Sequence, residues 1–81
     1  MTRRLLVADD SATIQKVVML SLAGEDIGVE AVSSGDEAIE KAKLLKPDLI
    51  LADVFMPGPS GYEVCEAVKG DPELAHTPVI C

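Results

Sequence analysis

Asp9, Asp10 and Asp53 are the residues of this chain whose type and spacing could do chemistry. Asp9 and Asp10 follow the apolar run Leu5-Leu6-Val7-Ala8, and Asp53 follows the similar run Leu49-Ile50-Leu51-Ala52. Such runs read as fully buried strands of a parallel sheet. Open α/β sheets bind their ligands just beyond the carboxyl ends of those strands. If the two strands are neighbours, three carboxylates converge on one small volume. Like charges that close are unfavourable unless something positive lies between them. A hard, oxygen-seeking cation such as Mg²⁺ is the natural candidate.

The elements that would position these residues alternate between strand and helix, which implies a parallel sheet covered by helices on both faces. The first strand is expected over about Arg4 to Ala8, with Ser11 as N-cap of the following helix. Ile14, Val17, Val18 and Leu22 fall at helical spacing and are expected to face the sheet, with Gly24 closing the helix. Met19 and Leu20 lie off that stripe, so this helix is apolar on more than one side. The second strand, about Val29 to Ser33, alternates imperfectly and suits an edge. Ser34 to Glu37 has the spacing of a capping box, and the second helix then runs to about Leu45, before Pro47. Ala38, Ala42 and Leu45 share one of its faces. The third strand is Asp48 to Ala52. Ser60 and Glu63 repeat the capping-box spacing ahead of a third helix that ends at Gly70, and Asp71-Pro72 marks a turn. Pro78-Val79-Ile80-Cys81 begins a fourth strand.

Composition narrows the function classes. The 81 residues suffice for one small domain, and a 48% hydrophobic fraction can build a core. One Tyr, one Phe and no Trp make that core aliphatic. A net charge of −7 argues against non-specific binding to nucleic acid or anionic membranes. The apolar stretch near the N-terminus is too short for a signal peptide or a membrane span, so a cytoplasmic protein is expected. Cys65 and Cys81 have no metal-ligand spacing and read as ordinary thiols. His76 reads as a loop residue, Asp48 as a turn residue, and Met56 and Tyr62 as packing residues.

In this order and spacing the chain resembles the receiver domain of two-component response regulators. The resemblance rests on Asp9-Asp10, Asp53, Met56-Pro57, Gly61 at the start of the third helix, and Pro78-Val79-Ile80. It covers all 81 residues, as the N-terminal two-thirds of one receiver domain. It implies an α/β fold, a doubly wound parallel sheet of the flavodoxin-like kind with strand order 2-1-3-4-5. It also implies that Asp53 is the phosphoacceptor, that Asp10 is the main direct Mg²⁺ carboxylate, and that Asp9 acts partly through water. The backbone carbonyl of Phe55 would complete the protein's share of the metal shell. Helix one would contribute to kinase docking, making Thr13, Gln15 and Lys16 candidates for partner choice alongside bland solvated positions. The chemistry suits the residue types, since a carboxylate can attack a phosphoryl group to form an acyl phosphate. A cation would offset the charge brought together.

Plainer readings stand beside these. Asp9 could cap the first helix, and Asp53 could be a loop residue. Receivers run to about 120 residues, so two family site residues, a Ser or Thr after strand four and a Lys after strand five, fall beyond Cys81. The chain is therefore expected to be a receiver lacking its C-terminal part. Strand four would be an unprotected edge, and association into a homo-oligomer is expected. Ser60 stands where the family often has an acidic residue. The leading expectation is a module that accepts a phosphoryl group from a histidine kinase and signals to an output domain or partner protein. The alternative is a phosphorylation-independent interaction module or an inactive receiver fragment. An enzyme is disfavoured, because residue 55 is Phe rather than a second acid and no glycine-rich phosphate loop is present. No DNA-binding element occurs in this segment.

Overall fold

Four short apolar strands form one parallel sheet in the order β2-β1-β3-β4. They are β1 (Arg3–Ala8), β2 (Ile27–Val32), β3 (Leu49–Ala52) and β4 (Val79–Ile80), and the helices between them are α1 (Ala12–Ser21), α2 (Gly35–Leu45) and α3 (Gly61–Gly70). The computed structural model describes residues 2–81. β1 leads through α1 to β2 on one side, and the chain then crosses back to place β3 on the other side. That reversal creates a switch point between β1 and β3, where this class of sheet opens a crevice.

Alternation along the strands divides the interior. Leu6 and Ala8 of β1 and Ile50 and Ala52 of β3 point to the face covered by α2 and α3. They pack there with Ala38, Ala42, Val64, Val68 and Leu74. Small Ala side chains on α2 let the helix lie close to the sheet. Each fully buried Leu, Ile or Val in this layer contributes about 1.5–3 kcal/mol.

The opposite face is covered less well. Leu5 and Val7 are buried there, but α1 buries none of its own residues. Ile14 remains 45% exposed and Val17 53%. The apolar stripe expected to seal against the sheet instead borders open grooves, and only Val18 and Leu22 are half-buried. Helical periodicity identifies a face but carries no information on how closely it is met.

The caps explain where the helices start. Ser11 Oγ accepts the Ile14 N–H at 3.3 Å, and Ser34 Oγ accepts that of Glu37 at 3.2 Å. Ser60 and Glu63 form a complete capping box. The Ser34 box closes one residue early, since Glu37 Oε1 accepts from the Ser33 N–H. α2 ends where Lys46 turns left-handed (φ 48°) before Pro47. β2 begins two residues sooner than its alternation indicated, because Ile27 and Gly28 pair in register with Arg3 and Arg4. Asp48 is more than a turn residue, since its Oδ2 accepts the Arg4 N–H at 2.8 Å where β1 and β3 begin to pair. The segment after α3 buries Leu74 and Thr77, and Lys69 Nζ donates to the carbonyls of Ala75 and Thr77. Tyr62, expected to pack, is 62% exposed, whereas Met56 does pack against the core.

Candidate metal centre

Strand register brings the acidic residues together. Ala8 pairs with Ala52, so the residues that follow them leave the sheet at the same level. The Asp53 N–H donates to the Ala8 carbonyl at 2.8 Å, and the Asp9 N–H donates to the Val32 carbonyl at 3.0 Å. These two bonds extend the ladders by one step and hold both aspartates at the crevice. One carboxylate oxygen from each of Asp9, Asp10 and Asp53 lies within 4.8 Å of the other two. Asp9 and Asp53 are half-buried and Asp10 is exposed.

Local hydrogen bonds orient two of the three side chains. Asp9 Oδ1 accepts the Ser11 N–H at 2.8 Å, an Asx-type turn that leads into the α1 cap. The helix cap itself is Ser11, so Asp9 supports the turn and does not replace the cap. Asp53 Oδ1 accepts the Phe55 N–H at 3.3 Å. In both residues Oδ2 has no protein donor among the described residues and remains open to a ligand. Phe55 itself is 84% exposed.

Among the described residues, no lysine or arginine forms an ion pair with the cluster. Ion pairs among the described residues join Lys41 to Glu30 and Lys46 to Glu73, and neither involves the three aspartates. An all-oxygen donor set of concentrated negative charge fits a hard divalent cation. Cys65 and Cys81 are free thiols and stand outside the cluster. His76 is exposed on the turn before β4.

Two glycines let the surrounding backbones approach. A Cβ on Gly61 would lie 2.5 Å from the Asp53 carbonyl oxygen, so only glycine allows α3 to start there. A Cβ on Gly35 would collide with the Pro59 carbonyl, which binds the start of α2 to the loop between β3 and α3. The Gly61 signal was visible in the sequence, while the Gly35 contact joins segments distant along the chain. Gln15 has an internal contact that the sequence did not show: its side-chain N–H donates to the carbonyls of Asp9 and Val32 at 2.7 and 3.0 Å.

A doubly wound parallel sheet with three carboxylates at its switch point defines the flavodoxin-like class with an acidic crevice. Within that class the chain belongs to the response regulator receiver domain family, whose sequence profile matches residues 5–81. Over 77 residues it is 39% identical to the transcriptional regulatory protein ResD of Bacillus subtilis, covering 95% of this chain and 31% of that protein. It is 38% identical over 80 residues to the response regulator PleD of Caulobacter vibrioides, covering 99% of this chain and 18% of that protein. Its fold superposes on the chemotaxis response regulator CheY4 of Vibrio cholerae with a TM-score of 0.91 at 33% identity, over 98% of this chain and 66% of that one. The chain thus spans a third or less of the length of these curated relatives. No described helix is long and apolar enough to cross a membrane.

Proposed function

We propose that this chain carries the phosphoryl-accepting site of a two-component receiver, with Asp53 as the acceptor and a phosphohistidine of a histidine kinase as the donor. The observation that carries this reading is the convergence of three carboxylate oxygens within 4.8 Å at the switch point, with no ion pair to them among the described residues. Asp9, Asp10, Asp53 and the Phe55 carbonyl would hold a Mg²⁺. When bound, that ion would offset the combined negative charge of the carboxylates and the incoming phosphoryl group.

The chain's own residues do the rest. An Asp53 carboxylate oxygen attacks phosphorus, the P–N bond to the histidine breaks, and the imidazole nitrogen keeps the electron pair and takes up a proton. An acyl phosphate on Asp53 remains. The Phe55 N–H donates to Asp53 Oδ1 at 3.3 Å and so restrains the carboxylate. Asp9, fixed by the Ser11 N–H, stays in place as charge builds beside it. The self-catalysed transfer relies on positioning and electrostatics, and because the phosphoryl group ends on Asp53 itself the domain is a stoichiometric acceptor and not a turnover enzyme. The phosphorylated state would then be read by an output domain or partner protein. Those of the relatives that are described as DNA-binding or transcriptional regulators make transcription one such output.

A second reading is a phosphorylation-independent interaction module. It is favoured by the poorly covered α1, whose Ile14, Val17 and Leu20 are 45–69% exposed. Intact mass after incubation with acetyl phosphate, with and without Mg²⁺, separates the two. The phosphoacceptor reading expects a metal-dependent gain of one phosphoryl group that Asp53→Ala abolishes. No gain in wild type, or an equal gain in Asp53→Ala, would remove Asp53 from the role.

A further inference from the structure

Among the described residues, Asp9 is held by the Ser11 N–H and Asp53 by the Phe55 N–H, whereas the Asp10 carboxylate has no protein donor. The direction of the exposed Asp10 side chain therefore depends on its backbone, above all on the peptide plane that joins it to Asp9. The N–H of Asp9 closes onto the Val32 carbonyl, but its carbonyl lies past the end of the β1–β2 ladder and has no backbone donor. Gln15 Nε2 supplies one at 2.7 Å. The same amide donates to the Val32 carbonyl at 3.0 Å and lies 3.3 Å from Ser33 Oγ. One side chain of α1 thus joins the end of β2 to the Asp9–Asp10 peptide.

We infer that Gln15 is a positioning residue for the acidic cluster. By fixing the Asp9 carbonyl it prevents the Asp9–Asp10 peptide from rotating and keeps the Asp10 carboxylate turned toward those of Asp9 and Asp53. It thereby sets the affinity of the crevice for a divalent cation. Such outer partners commonly change metal affinity tenfold or more although they never touch the ion. The inference rests on the cation-binding reading of the cluster, and it assigns to Gln15 an internal task.

The test is a Mg²⁺ titration by calorimetry on wild type, Gln15→Met and Asp10→Asn, with ¹⁵N relaxation of the metal-free proteins. Methionine matches the length of Gln15 and removes its donors. The expected result is a roughly tenfold weaker Kd for Gln15→Met. At Asp10, and to a lesser extent at Ser33, the backbone order parameter should fall from about 0.85 toward roughly 0.6, with the Asp53 amide unchanged. A purely structural role would loosen all amides alike, and that outcome overturns the inference. An unchanged Kd in Gln15→Met, with saturable binding in wild type, overturns it while leaving the cation site standing. Absence of Mg²⁺ binding by wild type removes both. If Gln15→Met does not fold, Gln15→Asn serves instead, since it keeps a polar amide that is too short to reach the Asp9 carbonyl.

Discussion

Asp10 is the cheapest of the three aspartates to replace and the most informative. Its side chain is exposed and lies within 4.8 Å of two like charges. Asp10→Asn removes repulsion without opening a cavity, so the metal-free protein should be no less stable than wild type in urea titrations. Added Mg²⁺ should raise the melting temperature of wild type only. A ligand at ten times its Kd contributes about 1.4 kcal/mol to the folded state. An equal Mg²⁺-dependent rise in Asp10→Asn would show that the ion acts elsewhere. Ser60 is the matching structural case at this scale. It caps α3 with both halves of a capping box, so Ser60→Ala should cost about 1 kcal/mol. It leaves the carboxylates themselves untouched.

At the scale of elements, three glycines of the chain behave differently. Gly35 and Gly61 lie against the backbone of the loop between β3 and α3, where a Cβ has no room. Gly35→Ala and Gly61→Ala should each destabilise by about 1–3 kcal/mol, because backbone cannot move aside as a side chain can. Gly61→Ala should also impair phosphoryl acceptance, since the obstructing atom is the carbonyl oxygen of Asp53. Gly70, at the end of α3, has nothing within 4 Å of its Cβ position and no left-handed φ. Gly70→Ala should therefore stabilise by about 0.4–1 kcal/mol, through the lower entropy of the unfolded chain. Urea denaturation of the three variants tests the contrast, and a destabilised Gly70→Ala would contradict it.

The whole molecule is lopsided. One face of the sheet is sealed by α2 and α3, while α1 covers the other loosely. An open groove of about 230 Å³ runs from Asp9 and Asp53 between Val7, Leu51, Ile14 and Val18 to Ile80. Ile80, on the edge strand β4, is 54% exposed, and among the described residues β4 pairs with β3 alone. An apolar edge beside an open apolar groove favours association. Sedimentation velocity across a concentration series should show reversible self-association, weakened by Ile80→Lys. A strictly monomeric species at all concentrations would contradict this.

Much of this architecture was legible in the sequence. The apolar runs before Asp9 and Asp53, the three serine caps and the breaks at Pro47 and Gly70 are local signals. They act within a few residues, so they can be read without knowing the rest of the molecule. The strand-ending aspartates were legible for the same reason, because a charge directly after a buried run has few places to go. Other features depended on segments far apart in the chain. The 4.8 Å convergence of the carboxylates required the Ala8–Ala52 register. The early start of β2 required its pairing with Arg3 and Arg4. The tasks of Gln15 and Gly35 arise from Val32, Asp9 and Pro59, which only folding brings to them. The exposure of α1 was likewise a tertiary outcome: periodicity marks an apolar face, but its burial is decided by what packs against it.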